Sequence, residues 1–137
     1  MTDKLRGKIS ILSQLANIDN DFDIRELAFI YNICLRNNIE VDSIADIISN
    51  PEPSISLEKL SQEDKADYLS DLFLLMMIDG KVLPKEVQFC LEIGKRLGFD
   101  PNSINSLIQE LSDVQNISEE YVRKKVDLLP KTRSNNA

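Results

Sequence analysis

The 137-residue chain contains no histidine, no tryptophan, four glycines and two cysteines. Without histidine there is no Ser-His-Asp triad, no Cys-His pair, no HExxH metalloprotease motif and no His-ligated zinc. Basic residues are in the minority, 16 against 23 acidic, for a net charge of -7. That balance argues against a nucleic-acid module, which needs clustered Lys and Arg for phosphate contacts. No long apolar run exists either. The longest, Leu72 to Ile78, falls far short of the roughly 20 residues that cross a bilayer. Cys34 and Cys90 each sit inside an apolar stretch, where a buried free thiol acting as a small hydrophobe is expected rather than a disulfide staple. The N-terminal residues carry charges on both sides of Leu5 and lead into no signal-peptide core, so a cytoplasmic location is expected.

What remains is an ordinary globular composition, 42% hydrophobic and 28% charged, at a length that suits one domain. Its strongest feature is an internal repeat. Shifted by 60 residues, positions 9–48 lie over 69–108 without a gap. The identities include Leu12/Leu72, Leu15/Leu75, Asp19/Asp79, Glu26/Glu86, Ile33/Ile93 and Ile44/Ile104. Twelve of the 40 pairs match, where average residue usage gives about 2 or 3. Among the remaining pairs, several exchange one apolar residue for another, as at Leu27/Val87, Ile39/Phe99 and Ile47/Leu107.

Each unit reads as helix, acidic loop, helix, turn, short helix. Leu5, Ile9, Leu12 and Ala16 follow helical spacing up to about Ile18. Asp23 with Glu26 forms an acidic capping box for the next helix, and Asn37-Asn38 is a left-handed stop. Asp42 is expected to cap a short helix through Ile48. In the second unit Ser61 and Asp64 open a helix that Asp79-Gly80 ends. Pro84 then suits the first position of the next, Gly98 stops it, and Asp100-Pro101 starts the short one. Asn50 to Ser54 reads as a stiff linker, and a last helix starts at Ser118 and ends before Pro130. The expected architecture is an all-α, single-domain bundle of about seven helices over residues 1–130. It is built from two pseudo-symmetric repeats and followed by a flexible tail, 131–137.

The pattern common to both units is Asp, seven residues later Glu: Asp19 with Glu26, and Asp79 with Glu86. Asp at the end of one helix and Glu in the first turn of the next can face one concavity. Four carboxylates converging there repel unless protonated or neutralised by a cation. Oxygen ligands without histidine suit Ca²⁺ or Mg²⁺, with Mn²⁺ also accepted. The alternative is purely structural: both glutamates fall where a helix N-terminus welcomes a carboxylate. An EF-hand is excluded, because Ile24 stands at loop position six and Ile30 at position twelve. Phe73, Met76 and Met77 read as core, Lys81 and Lys85 as a solvated face, and Arg123-Lys124-Lys125 as a basic cluster diluted by acidic neighbours. No glycine-rich loop follows a strand, so no organic cofactor is expected.

Ile78-Asp79-Gly80-Lys81-Val82 followed by Glu86, Gly94 and Leu97-Gly98-Phe99, within a doubled helical unit, resembles the TerB-like family of tellurite-resistance proteins. That domain also occurs at the N-terminus of some membrane-anchored J-domain co-chaperones. The resemblance spans about residues 5–112. It implies an all-helical fold with internal pseudo-symmetry and a metal-chelating acidic surface, at Asp79 and Glu86 with Asp19 and Glu26 as repeat partners. The first unit departs from the motif where Asn20 replaces glycine. The expectation is a non-catalytic, stress-related module that binds a divalent cation through its acidic loops and engages another protein, with neither nucleic-acid binding nor membrane insertion. The alternative is a metal-free helical scaffold whose acidic face docks a basic partner.

Overall fold

The computed structural model of the chain describes residues 2–18, 23–50, 56–78, 80–114 and 116–132. Seven α-helices are found among them: α1 Asp3–Ala16, α2 Ile24–Arg36, α3 Val41–Ser49, α4 Gln62–Met77, α5 Pro84–Arg96, α6 Pro101–Ser112 and α7 Glu119–Asp127. A 3-10 turn, Leu57–Lys59, precedes α4. No strand occurs among the described residues; Phe99 and Lys131 form a single antiparallel bridge. The all-α bundle expected from hydrophobic spacing is what the chain forms.

The helix boundaries follow the sequence repeat. α2 and α5 are offset by 60 residues at both ends, and α3 and α6 start at the same offset. The turns between them match as well, with left-handed Asn38 (φ 61°) and Gly98 (φ 91°) at equivalent places. Each turn returns an amide to an orphan helix carbonyl, Ile39 N–H to the Cys34 carbonyl and Phe99 N–H to that of Gly94. Ser61, Asp100 and Ser118 cap α4, α6 and α7, each accepting the N–H three residues on at 3.0–3.1 Å.

One cap falls elsewhere than expected. The helix begins at Val41 with Glu40 as its N-cap, so Asp42 lies inside the first turn, and the Glu40 side chain makes no cap bond. Residues 51–54 of the expected linker, with residue 55, lie outside the described residues. At the other end, Lys131 and Thr132, the expected start of a free tail, are held: Thr132 N–H donates to the Gly98 carbonyl at 2.7 Å, and its hydroxyl to that of Phe99 at 3.1 Å. Residues 133–137 lie outside the described residues.

Packing is organised in two groups. α1 packs on α2 and α3, while α4 packs on α5, and α5 on α6; α1 and α4 join the groups and α7 lies along α4. Ile9, Leu12, Leu15, Leu69, Leu72, Phe73, Leu75 and Met76 on the two joining helices are all buried. Gly94 lets α5 approach α6 closely: a Cβ there would run into Ile104 Cδ1. Both cysteines are free and buried. Burial pushes the Cys34 thiol up to about 11, and burial together with the Glu86 charge pushes that of Cys90 up, so neither is a nucleophile at neutral pH.

Candidate functional site

Glu26 and Glu86 occupy the third position of α2 and of α5 and are 4% and 5% exposed. Their burial follows from the repeat. Each precedes an apolar residue in a helix whose inner face carries Ile30, Ile33 and Cys34, or Cys90 and Ile93. The Glu86 Oε1 accepts the Leu83 N–H at 3.0 Å, half of a capping box. Pro84 at the first helical position lacks an N–H, which removes one donor that would otherwise need a partner. Asp23 caps α2 through the Arg25 N–H at 2.7 Å and is held by the Arg25 guanidinium at 3.2 Å. These hydrogen bonds hold the exposed Asp23 carboxyl below its usual range, and Lys81 adds to the effect.

The influence of Lys81 on Asp23 brings the residue before α2 and the residue after Gly80 within electrostatic reach of each other. A concavity of about 780 Å³ lies beside them, lined by Arg25 and Phe29 of α2, Met77 of α4, Gly80 and Val82 after it, and Leu111 and Val114 at and just past the end of α6. Gly80, at φ 75°, makes the turn out of α4. Phe73 and Met76 are core residues, as expected, whereas Met77 is half-buried and lines this concavity.

Of the four expected cation ligands, Glu26 and Glu86 are described and buried, while Asp19 and Asp79 lie outside the described residues. No group of three or more acidic or thiol side chains among the described residues is placed to hold a metal. One oxygen of Glu86 is committed to its helix. The two glutamates therefore do not make a cation site without the aspartates.

No family model matches the chain. No curated protein and no solved structure matches it.

A second charged constellation was not anticipated in the sequence. Asp71 on α4 has a side chain 3% exposed, yet it is ionically paired on both sides, with Lys8 of α1 at 2.8 Å and Arg123 of α7 at 2.8 Å. Asp67, one turn earlier, also takes both cations: it pairs with Lys8, and with Arg123 at 2.9 Å. Arg123 reaches Glu119 as well, at 2.8 Å. A lysine could not reproduce this, since only the planar guanidinium presents several donors in fixed directions. The available signal was the spacing of Asp64, Asp67 and Asp71 along one helix face. Its cations come from positions 8 and 123, which only the tertiary fold brings together. Arg123 is thus a structural cation, and Lys125 is paired with Glu110 at 3.1 Å.

Lys8 shows how the competing effects resolve. Burial alone would lower its pKa, but Asp71 and Asp67 together outweigh burial, and the net shift is upward. Next to it the buried Tyr68 hydroxyl donates to the Lys4 carbonyl. Burial, reinforced by Asp64, raises its pKa from 10.0 to about 12. Both groups have folded pKa values above their unfolded ones. Their stabilisation is therefore complete below pH 10 and is lost as pH rises, for Tyr68 toward 12. Urea unfolding between pH 9 and 12 is expected to show a loss of about 1–2 kcal/mol from Tyr68 after allowance for solvent screening. In Tyr68→Phe that part of the slope disappears. An unchanged slope in the variant assigns the alkaline loss to other groups.

Proposed function

We propose that the chain is a non-catalytic, TerB-like helical module that binds a divalent cation between its two acidic loops and presents that end to another protein. The observation that supports this most is the approach of the start of α2 to the chain that follows α4. Arg25 and Gly80 line one concavity, and Asp23 lies within electrostatic reach of Lys81. Each loop leads into a helix whose third residue is a buried glutamate. Completed by Asp19 and Asp79, the set would offer only carboxylate oxygens, which suits Ca²⁺ or Mg²⁺. Binding would tie the start of α2 to the start of α5, a connection between the two units that α1 and α4 do not provide.

Thermal unfolding with and without millimolar Ca²⁺ or Mg²⁺ tests this. A ligand held only by the folded state, at a hundredfold excess over its Kd, adds about 2.7 kcal/mol and raises the midpoint by about 5–10 °C. Asp19→Asn and Asp79→Asn are expected to abolish the shift. No shift with either ion overturns the cation reading.

One specific observation favours a second reading, the Leu83 N–H bond that already occupies Glu86. In that case the glutamates serve their helices and the acidic loops dock a basic partner without metal. Stability would then be indifferent to cations, while partner binding would weaken steeply with salt.

A further inference from the structure

α7, as short as α3 and with as few buried residues, is set apart by its charged contacts. Among its nine residues only Val122 and Val126 are buried, whereas α1 and α4 each bury eight. Tyr121 packs partly buried against the core, and the remaining attachments are ionic or polar. Arg123 reaches Asp67, Asp71 and Glu119, Lys125 reaches Glu110, and the Tyr121 hydroxyl donates to Glu110 at 3.1 Å. Before it, the turn at Asn116 takes a left-handed conformation, φ 58°. After it, Leu128 is 78% exposed. The chain is then pinned again: Asp100 N–H donates to the Pro130 carbonyl at 3.0 Å, and Thr132 N–H to the Gly98 carbonyl at 2.7 Å.

We propose that α7 is a latched strap, with Arg123 as its latch, that opens from α4 by itself while residues 130–132 stay pinned to the α5–α6 turn.

The division of the charge network makes such an opening accessible. Breaking a buried ion pair is costly when one charge is left bare. Here Asp67 and Asp71 are each paired twice, by Lys8 from α1 and by Arg123 from α7. When α7 leaves, Lys8 stays, since α1 is held to α4 by the main core. The uncovered aspartates then keep one cation and gain water. Arg123 leaves with Glu119, its partner one turn away on the same helix. No charge is stranded on either side, and the apolar side chains that α7 itself withdraws from the core are Val122, Val126 and the partly buried Tyr121. Local openings of this kind come from segments with few buried apolar contacts. Their effect here would be to expose the Asp67/Asp71 face of α4 without unfolding the bundle.

Residue-resolved hydrogen exchange on the full chain tests the strap. In the wild type, amides of residues 122–127 are expected to exchange at least about 10-fold faster than those at the centres of α1 and α4. The amides of Asp100 and Thr132 keep their protection. In Arg123→Met, α7 is expected to lose its protection altogether while α4 and α5 stay protected, and Arg123→Lys falls between. Three results overturn the proposal. One is a common exchange rate for α7 and α4 in the wild type. Another is loss of Asp100 and Thr132 protection together with α7, which would make the segment a frayed end and not a strap. The third is Arg123→Met leaving α7 as protected as before.

Discussion

Phe73→Ala is expected to lower the free energy of unfolding by about 3–5 kcal/mol, the range for truncating a buried aromatic whose neighbours relax only in part. Phe73 is fully buried on α4, among Leu69, Leu72 and Met76. Its repeat counterpart on α1 is Ser13, equally buried, whose hydroxyl turns back to donate to the Ile9 carbonyl at 2.7 Å. The two units therefore contribute unequally at this position: a small self-satisfied side chain from one helix and a large ring from the other. No second aromatic stands at the equivalent place to take over the lost contacts. Domains of this size hold only about 5–15 kcal/mol in total, so the variant should unfold at a markedly lower urea concentration with an unchanged m-value. A cost below about 1 kcal/mol would mean that the α1–α4 seam refills the cavity.

Much of the fold was legible in the sequence because the chain states it twice. α2 and α5 could be bounded from spacing and turn residues, and their ends fall 60 residues apart as the repeat requires. The misplaced cap shows where local preference misled. Asp42 has the better capping side chain, but the repeat pairs Glu40 with Asp100, and Asp100 is the residue that caps α6 through Ser103 N–H. The left-handed Asn38 and the Ile39 amide bond to Cys34 reverse the chain so tightly that the helix starts at Val41. Glu40 then occupies the cap position without a cap bond, its side chain being one carbon longer than the aspartate that succeeds there.

The candidate site was legible in part. The buried glutamates follow from their place in the first turn of helices with an apolar inner face. The nearness of Asp23 and Lys81 follows only from the way α1 and α4 join the two groups, which spacing cannot state. The ionic network was hidden for a different reason. Aspartates four apart on an amphipathic helix read as a solvated face, and a Lys near one terminus and an Arg near the other give no local sign of meeting there.

Asp71→Ala is expected to cost about 3 kcal/mol or more at neutral pH, because it breaks a buried ionic cluster on one side only. Lys8, with a side chain 12% exposed, and Arg123 would be left to share Asp67, which is far more exposed. Removing the charges together should behave otherwise. Lys8→Met with Asp71→Ile leaves Arg123 paired to Asp67 and Glu119, and replacing a buried pair by well-packed apolar side chains is often neutral or stabilising by about 1–4 kcal/mol. The first unit indicates that this helix position accepts the exchange: Ile11, the counterpart of Asp71, is buried in α1 with no charge at all. Urea unfolding of the single and double variants separates the two cases. If Asp71→Ala costs under about 1 kcal/mol, the cluster acts as an ordinary surface pair. The comparison also bears on why the charge is there. α7 packs along α4, the helix that carries Asp71, and among the described residues no fourth α-helix follows α1, α2 and α3 before α4 begins. An aspartate where the repeat has isoleucine weakens what apolar packing alone would give, and in exchange it provides the most deeply buried of the anchors that Arg123 uses.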